Sequence, residues 1–266
     1  MTSLPFSPSS LVFSTESIVP GLAIAERRVN DPLATVICIH GGLDRGASFG
    51  RISRRLENFD FISYDRRGYQ SSRDLSPLGL EMHIEDLTKI AQAQTGPVIL
   101  FGHSYGGVIA QGVAIKHPDL IDLVVTYESP TPWVLHRELN RAPLTDDARY
   151  EVEYFFTRMV SRKIWDRLSE EERESRLLDG EGLLSDLTAL RTNEAPFDIT
   201  MLKTPSAYIH GDGIIGEYYI ALCQELNRIV PSMKTIAIEK ANHGAHLQNP
   251  DQLSDLITDL WRQTCA

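Results

Sequence analysis

Cysteine is scarce in this chain of 266 residues: Cys38, Cys223 and Cys265 are odd in number, widely spaced and free of any Cys-x-x-Cys pair. That excludes a disulfide framework and a cysteine-built zinc site, and a reducing cytoplasm is the expected setting. Positive charge is scarce as well, with 26 Lys and Arg against 36 Asp and Glu and a net charge of -10. Such a surface repels nucleic acid and anionic membranes, so a small-molecule substrate is the expected partner. No apolar run approaches the roughly 20 residues of a membrane span. The start, MTSLPFSPSSLVF, lacks a basic stretch followed by an apolar one, so neither export nor an anchor is expected. There is no phosphate loop, no dinucleotide glycine pattern and no His-Glu-x-x-His helix, and neither a cofactor nor a metal is expected.

What the chain does have is alternation of strand and helix signals. Leu11 to Ser17 and Leu22 to Arg28 suit two strands of an opening hairpin around Pro20-Gly21. Strand patterns recur at Thr35 to Ile39, Phe61 to Tyr64, Val98 to Phe101, Leu123 to Tyr127, Ser206 to Ile209 and Lys234 to Ile238, with Thr35 to Ile39 and Val98 to Phe101 suited to burial on both faces. Helical spacing lies between them, at Phe49 to Leu56, Met82 to Ala93, Tyr218 to Ile229 and Gln252 to Trp261. The expectation is an α/β fold, a mostly parallel sheet with helices on both faces. From about Pro132 to Thr200 the alternation stops, and polar helical segments such as Arg149 to Leu168 and Glu170 to Leu178 replace it. Residues 132–200 therefore read as an inserted helical cap on a core made of 1–131 and 201–266. Glu170-Glu171-Glu172 is the solvated face of a cap helix, and Tyr154, Phe155, Phe156, Met159 and Trp165 have the spacing of packing residues that could also line a pocket.

The stretch with chemical content is Val98 to Ile109, VILFGHSYGGVI. An apolar strand runs into Gly102-His103-Ser104-Tyr105-Gly106 and out into a helix, the arrangement of a nucleophile elbow. The turn cramps the backbone at Ser104, so the positions two before and two after it must lack a bulky side chain, and both are glycine. The amide of Tyr105 would face a developing oxyanion. A serine hydroxyl needs a histidine to take its proton and an acid to orient that histidine.

Of eight histidines, His83, His117 and His136 precede the last strands and suit surface or packing roles. His243 follows the last strand in Lys240-Ala241-Asn242-His243-Gly244-Ala245-His246, where the base is expected, with His246 the nearest rival. His243 and His246 as a metal pair lack a third ligand at usable spacing. The acid is Glu128, ending the strand Leu123 to Tyr127, or Asp212, in His210-Gly211-Asp212-Gly213-Ile214. Asp between two glycines suits a plain turn. A carboxylate at the end of an apolar strand is costly unless paired.

Together His40-Gly41-Gly42, Tyr64-Asp65-Arg66-Arg67-Gly68, Gly102-His103-Ser104-Tyr105-Gly106-Gly107, Tyr127-Glu128-Ser129-Pro130 and Ala241-Asn242-His243-Gly244 resemble the α/β-hydrolase superfamily over nearly the whole chain. The resemblance implies an α/β-hydrolase fold, a second oxyanion amide from Gly42, a loop-shaping role for His40, and a tight turn at Arg66-Arg67 beneath the active-site end. Most members carry the acid in a segment like GxxD, but here that place is Ile214 and Asp212 falls out of step. The segments at Tyr64 and Tyr127 resemble instead a bacterial subgroup with YDRRG and YEPP, which implies Ser104-His243-Glu128 with Asp212 as the alternative acid. The implied activity is a serine hydrolase acting on a small, largely apolar carboxylic ester or lactone. Carbon-carbon, thioester and amide hydrolysis or acyl transfer on the same triad are alternatives, as are a haloperoxidase-like enzyme and a ligand receptor that keeps the fold without turnover. A serine nucleophile excludes the dehalogenase and epoxide-hydrolase branches, which need aspartate there.

Overall fold

The computed structural model describes residues 11–76, 79–136, 144–192, 194–213 and 216–266. The first ten residues, Ile214 and part of the 132–200 segment lie outside them. Eight strands form one sheet: β1 (Phe13–Ser14), β2 (Ile24–Arg27), β3 (Thr35–Ile39), β4 (Asp60–Tyr64), β5 (Val98–His103), β6 (Leu123–Tyr127), β7 (Ser206–Gly211) and β8 (Lys234–Ile238), in the order β1-β2-β4-β3-β5-β6-β7-β8. β1 and β2 run antiparallel at one edge, and β3 to β8 pair in parallel.

Parallel strands need covered faces, and the alternation within β5 shows how both are covered. Val98 and Leu100 pack with Ile84, Leu87, Val108 and Ile109. These come from α2 (Leu80–Gln92) and α3 (Tyr105–Lys116). Ile99 and Phe101 point the other way, to Phe49, Ile52, Leu253 and Trp261. That face belongs to α1 (Gly50–Arg55) and α10 (Pro250–Thr264), the latter preceded by the short α9 (Ala245–Gln248). The remaining helix between strands, α8 (Gly216–Ile229), joins β7 to β8.

Between β6 and β7 lie α4 (Ala148–Phe156), α5 (Arg162–Trp165), α6 (Glu170–Leu177) and α7 (Gly180–Arg191). The single helix expected from Arg149 to Leu168 is interrupted by a π turn at Thr157–Ser161. The Thr157 hydroxyl donates to the carbonyls of Glu153 and Tyr154 at 2.8 and 3.2 Å, and Ser161 restarts the helix as a side-chain cap. Glu172 completes a capping box with Ser169 at the start of α6. The opening hairpin is shorter than its apolar pattern because Ser17 bonds the carbonyls of Val19 and Leu22, both at 2.8 Å, in place of a ladder.

Two registers set the height of the loops. Ile39 is level with Gly102, and His103, Tyr127 and Ile209 are level with one another. Ser104 and Glu128 therefore leave the sheet side by side at its carboxyl end, where ligands bind in open parallel sheets.

Candidate active site

Ser104 follows the last residue of β5 with φ +52° and ψ -125°, a conformation L residues rarely adopt. Its surroundings impose it. A Cβ on Gly102 would lie 2.5 Å from the Gly106 carbonyl oxygen, and one on Gly106 would lie 2.2 Å from that of Ile39. The chain closes because both are glycine, and the turn is pinned by the Ser104 amide donating to the Tyr127 carbonyl at 2.9 Å. Ser104 itself is half-buried. Tyr105 opens α3, where the first amides have no acceptor within the helix.

On the β6 side, the Nδ1 of His243 lies 2.7 Å from the Oε2 of Glu128. The other carboxylate oxygen accepts the Gly211 amide at 3.0 Å. Glu128 is 2 % exposed, and its backbone is held at φ +44°. The loop bearing His243 is fastened twice, by Tyr127 Oη donating to the Asn242 carbonyl at 2.7 Å and by His103 Nε2 at 2.8 Å from the His243 carbonyl. With a carboxylate on Nδ1, the imidazole carries its proton there and leaves Nε2 as a free base. Asp212 is elsewhere: it is exposed, and its carboxylate accepts the Lys240 amide at 2.6 Å, bracing the turn after β8.

On the β3 side, Gly41 presses against the serine, so that a Cβ on it would lie 2.8 Å from the Ser104 Cβ. The next residue, Gly42, is covered by the helices between β6 and β7: Leu183 Cδ1 and Phe155 Cζ lie 3.2 and 3.8 Å from where its Cβ would be. His40 shapes this loop. Its Nε2 accepts the Arg66 amide at 2.9 Å and its Nδ1 lies 2.7 Å from the Gly41 carbonyl, which assigns the proton to Nδ1. Burial first, then the Arg66 charge, pulls the His40 pKa down to about 3, so the ring stays neutral.

Arg66 does more than form a turn. Its guanidinium is fully buried and donates to the carbonyls of His40 and Gly41 at 2.9 and 3.2 Å. It also grips Asp186 of α7 with both Nη atoms, at 2.6 and 3.1 Å, and Tyr69 donates to the same carboxylate at 2.6 Å. Burial alone would raise the Asp186 pKa, but Arg66 outweighs it and holds the carboxyl below the usual range. His83 closes the network with Nε2 at 3.2 Å from Arg66. Arg67 turns away to pair with Asp86 at 2.6 and 2.8 Å.

Asp186 carries no signal in the sequence, because nothing in the helical stretch Gly180–Arg191 distinguishes one carboxylate from another. Asp44 and His103 carry none as partners of His246 either. His246 is not beside Glu128; its Nε2 is 3.1 Å from the Oδ2 of Asp44, with His103 Nδ1 3.6 Å from the same oxygen. The groups beside His246 thus come from segments far away in sequence, and His243 is not among them. Of the aromatics expected in the helical insertion, Phe156 and Trp165 pack on each other at 5.2 Å, Tyr154 stacks on Tyr150, and Phe155 faces Gly42.

Among the described residues no helix is long and apolar enough to cross a membrane. A sequence profile described as the alpha/beta hydrolase family matches residues 36–256. An uncharacterized hydrolase of Bacillus subtilis, YraK, is 24% identical over 93% of this chain and 97% of its own. The pimeloyl-[acyl-carrier protein] methyl ester esterase of Yersinia enterocolitica is 23% identical over 86% of this chain and 93% of its own. In structure, the bromoperoxidase of Bacillus anthracis superposes with a TM-score of 0.69 at 19% identity, covering 95% of this chain and 100% of its own.

Proposed function

From the premise that this chain belongs to the alpha/beta hydrolase family, we propose that it is a serine hydrolase cleaving a small, largely apolar carboxylic ester or lactone through an acyl-enzyme. The observation that carries the reading is the 2.7 Å contact between His243 Nδ1 and a buried Glu128, one strand from a serine held at φ +52°. Ser104 Oγ attacks the carbonyl carbon as His243 Nε2 takes its proton. Glu128 keeps the imidazole in the needed tautomer and balances its charge. The amides of Gly42 and Tyr105 receive the oxyanion, each contributing about 10²–10³ in kcat. Collapse expels the alcohol oxygen with the proton from His243. Water then attacks the acyl-enzyme by the same route in reverse order, releasing the acid and restoring Ser104.

Residues 132–200 act as a cap, and the approach of Phe155 and Leu183 to Gly42 supports an apolar acyl or alkyl group beneath it. A relative named as a methyl ester esterase supports the ester reading. Cys38, Cys223 and Cys265 are free, which supports a reducing, cytoplasmic setting.

A fluorophosphonate probe followed by peptide mass spectrometry tests the nucleophile directly. The expected result is label on the Ser104 peptide of the wild type and none in folded Ser104→Ala, with a burst of alcohol from short activated esters. An unlabelled, folded wild type that turns over no ester would overturn the reading.

A further inference from the structure

Three segments converge on a cluster that the triad does not use. Asp44 follows the Gly41-Gly42 loop, His103 ends β5 immediately before Ser104, and His246 lies in α9 after His243. One nitrogen or oxygen from each falls within 4.8 Å of the others. The side chains of His246, His103 and Asp44 are 3%, 7% and 17% exposed. Despite this burial, Asp44 Oδ2, His103 Nδ1 and both nitrogens of His246 have no hydrogen-bond partner among the described residues. At 3.1 Å the His246 Nε2 and Asp44 Oδ2 are close, but they are not aligned as a hydrogen bond.

The tautomer of His103 sharpens the point. Its Nε2 faces the His243 carbonyl at 2.8 Å, and a carbonyl can only accept, so the ring proton sits on Nε2. Its Nδ1 lone pair therefore points at a carboxylate oxygen 3.6 Å away. Two acceptors facing each other in a buried site call for a positive charge between them.

The outer contacts match those of a metal centre. The Ser48 hydroxyl orients the other oxygen of Asp44, and the His243 carbonyl fixes the His103 ring. A histidine ligand typically donates its second N–H to a carbonyl or carboxylate in this way. Tetrahedral bonds of 2.0–2.1 Å give ligand-to-ligand edges of roughly 3.3 Å; the two edges to Asp44 Oδ2 are 3.1 and 3.6 Å, and all three lie within 4.8 Å.

We propose that His103 Nδ1, His246 Nε2 and Asp44 Oδ2 bind one divalent transition-metal ion of the zinc type. Two imidazoles and one carboxylate favour zinc, cobalt or nickel over magnesium or calcium. The ion ties together the loops that carry Gly42, Ser104 and His243, so it braces the catalytic end of the sheet without touching the substrate. This assignment stands apart from the ester reading, since binding is measured without turnover.

The test is calorimetric titration of chelator-stripped protein with Zn²⁺, and with Mg²⁺ as the contrast, on the wild type, Asp44→Asn and His246→Gln, each checked for folding by circular dichroism. Loss of an outer-shell partner weakens metal sites about 10–100-fold. Removing a ligand is therefore expected to weaken Zn²⁺ binding by at least about 100-fold from one ion per wild-type chain, with Mg²⁺ silent. Co²⁺ added to the wild type should give visible bands of tetrahedral intensity, a readout that stands even if a variant does not fold. A wild type that takes up no Zn²⁺, or the same affinity in a folded His246→Gln, would overturn the site; the second result would move binding to surface histidines such as His136.

Discussion

Two buried carboxylates flank the elbow serine, and they are held in opposite ways. Asp186 meets Arg66, a permanent cation with no exposure, through both oxygens, and its Oδ2 also accepts from Tyr69. Glu128 meets His243, a titratable ring whose side chain is 27% exposed. A buried acid locked to a fixed charge is a brace, because neither partner can change state near neutral pH. One paired with an imidazole that reaches solvent is placed to orient that ring and to balance its charge. Removing each acid should therefore leave different signatures, one in turnover and the other in stability.

Glu128→Gln presents an amide where the imidazole needs a carboxylate. An activity loss of about 10³–10⁴ in kcat is expected, with the fold retained, as when a triad acid is neutralised elsewhere. A loss below tenfold would erase the contrast. Asp186→Ala strands the Arg66 guanidinium without its counter-ion, and breaking such a pair costs about 3–5 kcal/mol. Urea unfolding measures it; a change under 1 kcal/mol would mean that Arg66 finds water or another partner.

The next effect is in pH dependence. The Asp186 carboxyl is held below its usual value, so its contribution is fully present above the unfolded pKa of 3.8 and is lost only as pH falls through the lower folded value. His40 behaves differently. The unfolded chain takes up a proton below 6.5, whereas the folded ring refuses it until about 3, so stability declines as pH falls across that window. Between pH 7.5 and 5, His40 should account for about 2 kcal/mol of the decline, and His40→Gln should show that much less. The smallest effect belongs to Asp212→Asn, since that carboxylate serves a turn: activity should stay within about threefold, and a larger loss would bring it back as a catalytic partner.

Much of this was legible in the chain. The strand runs identified every parallel strand, because mostly apolar runs of four or five residues are what a sheet covered on both faces requires; β8, at the sheet edge, keeps Lys234 exposed. The elbow was legible from glycines two residues either side of Ser104, and the structure supplies the reason in backbone oxygens 2.2 to 2.5 Å from any added Cβ. Less legible were element ends and interruptions, such as the π turn at Thr157–Ser161, where one hydroxyl captures two carbonyls. Arg66 read as part of a turn, since its reach to the carbonyls of His40 and Gly41 depends on β3 and β4 being neighbours.

The sequence by itself determined the alternating fold, the position of the elbow and the identity of the candidate serine and histidine, because these rest on local periodicity and on steric needs within a few residues. The tertiary structure decided which acid faces His243, what Asp186 does, and that Asp44, His103 and His246 meet at all. Those outcomes depend on strand order and register, and the side chains they join lie between 59 and 202 residues apart in the chain.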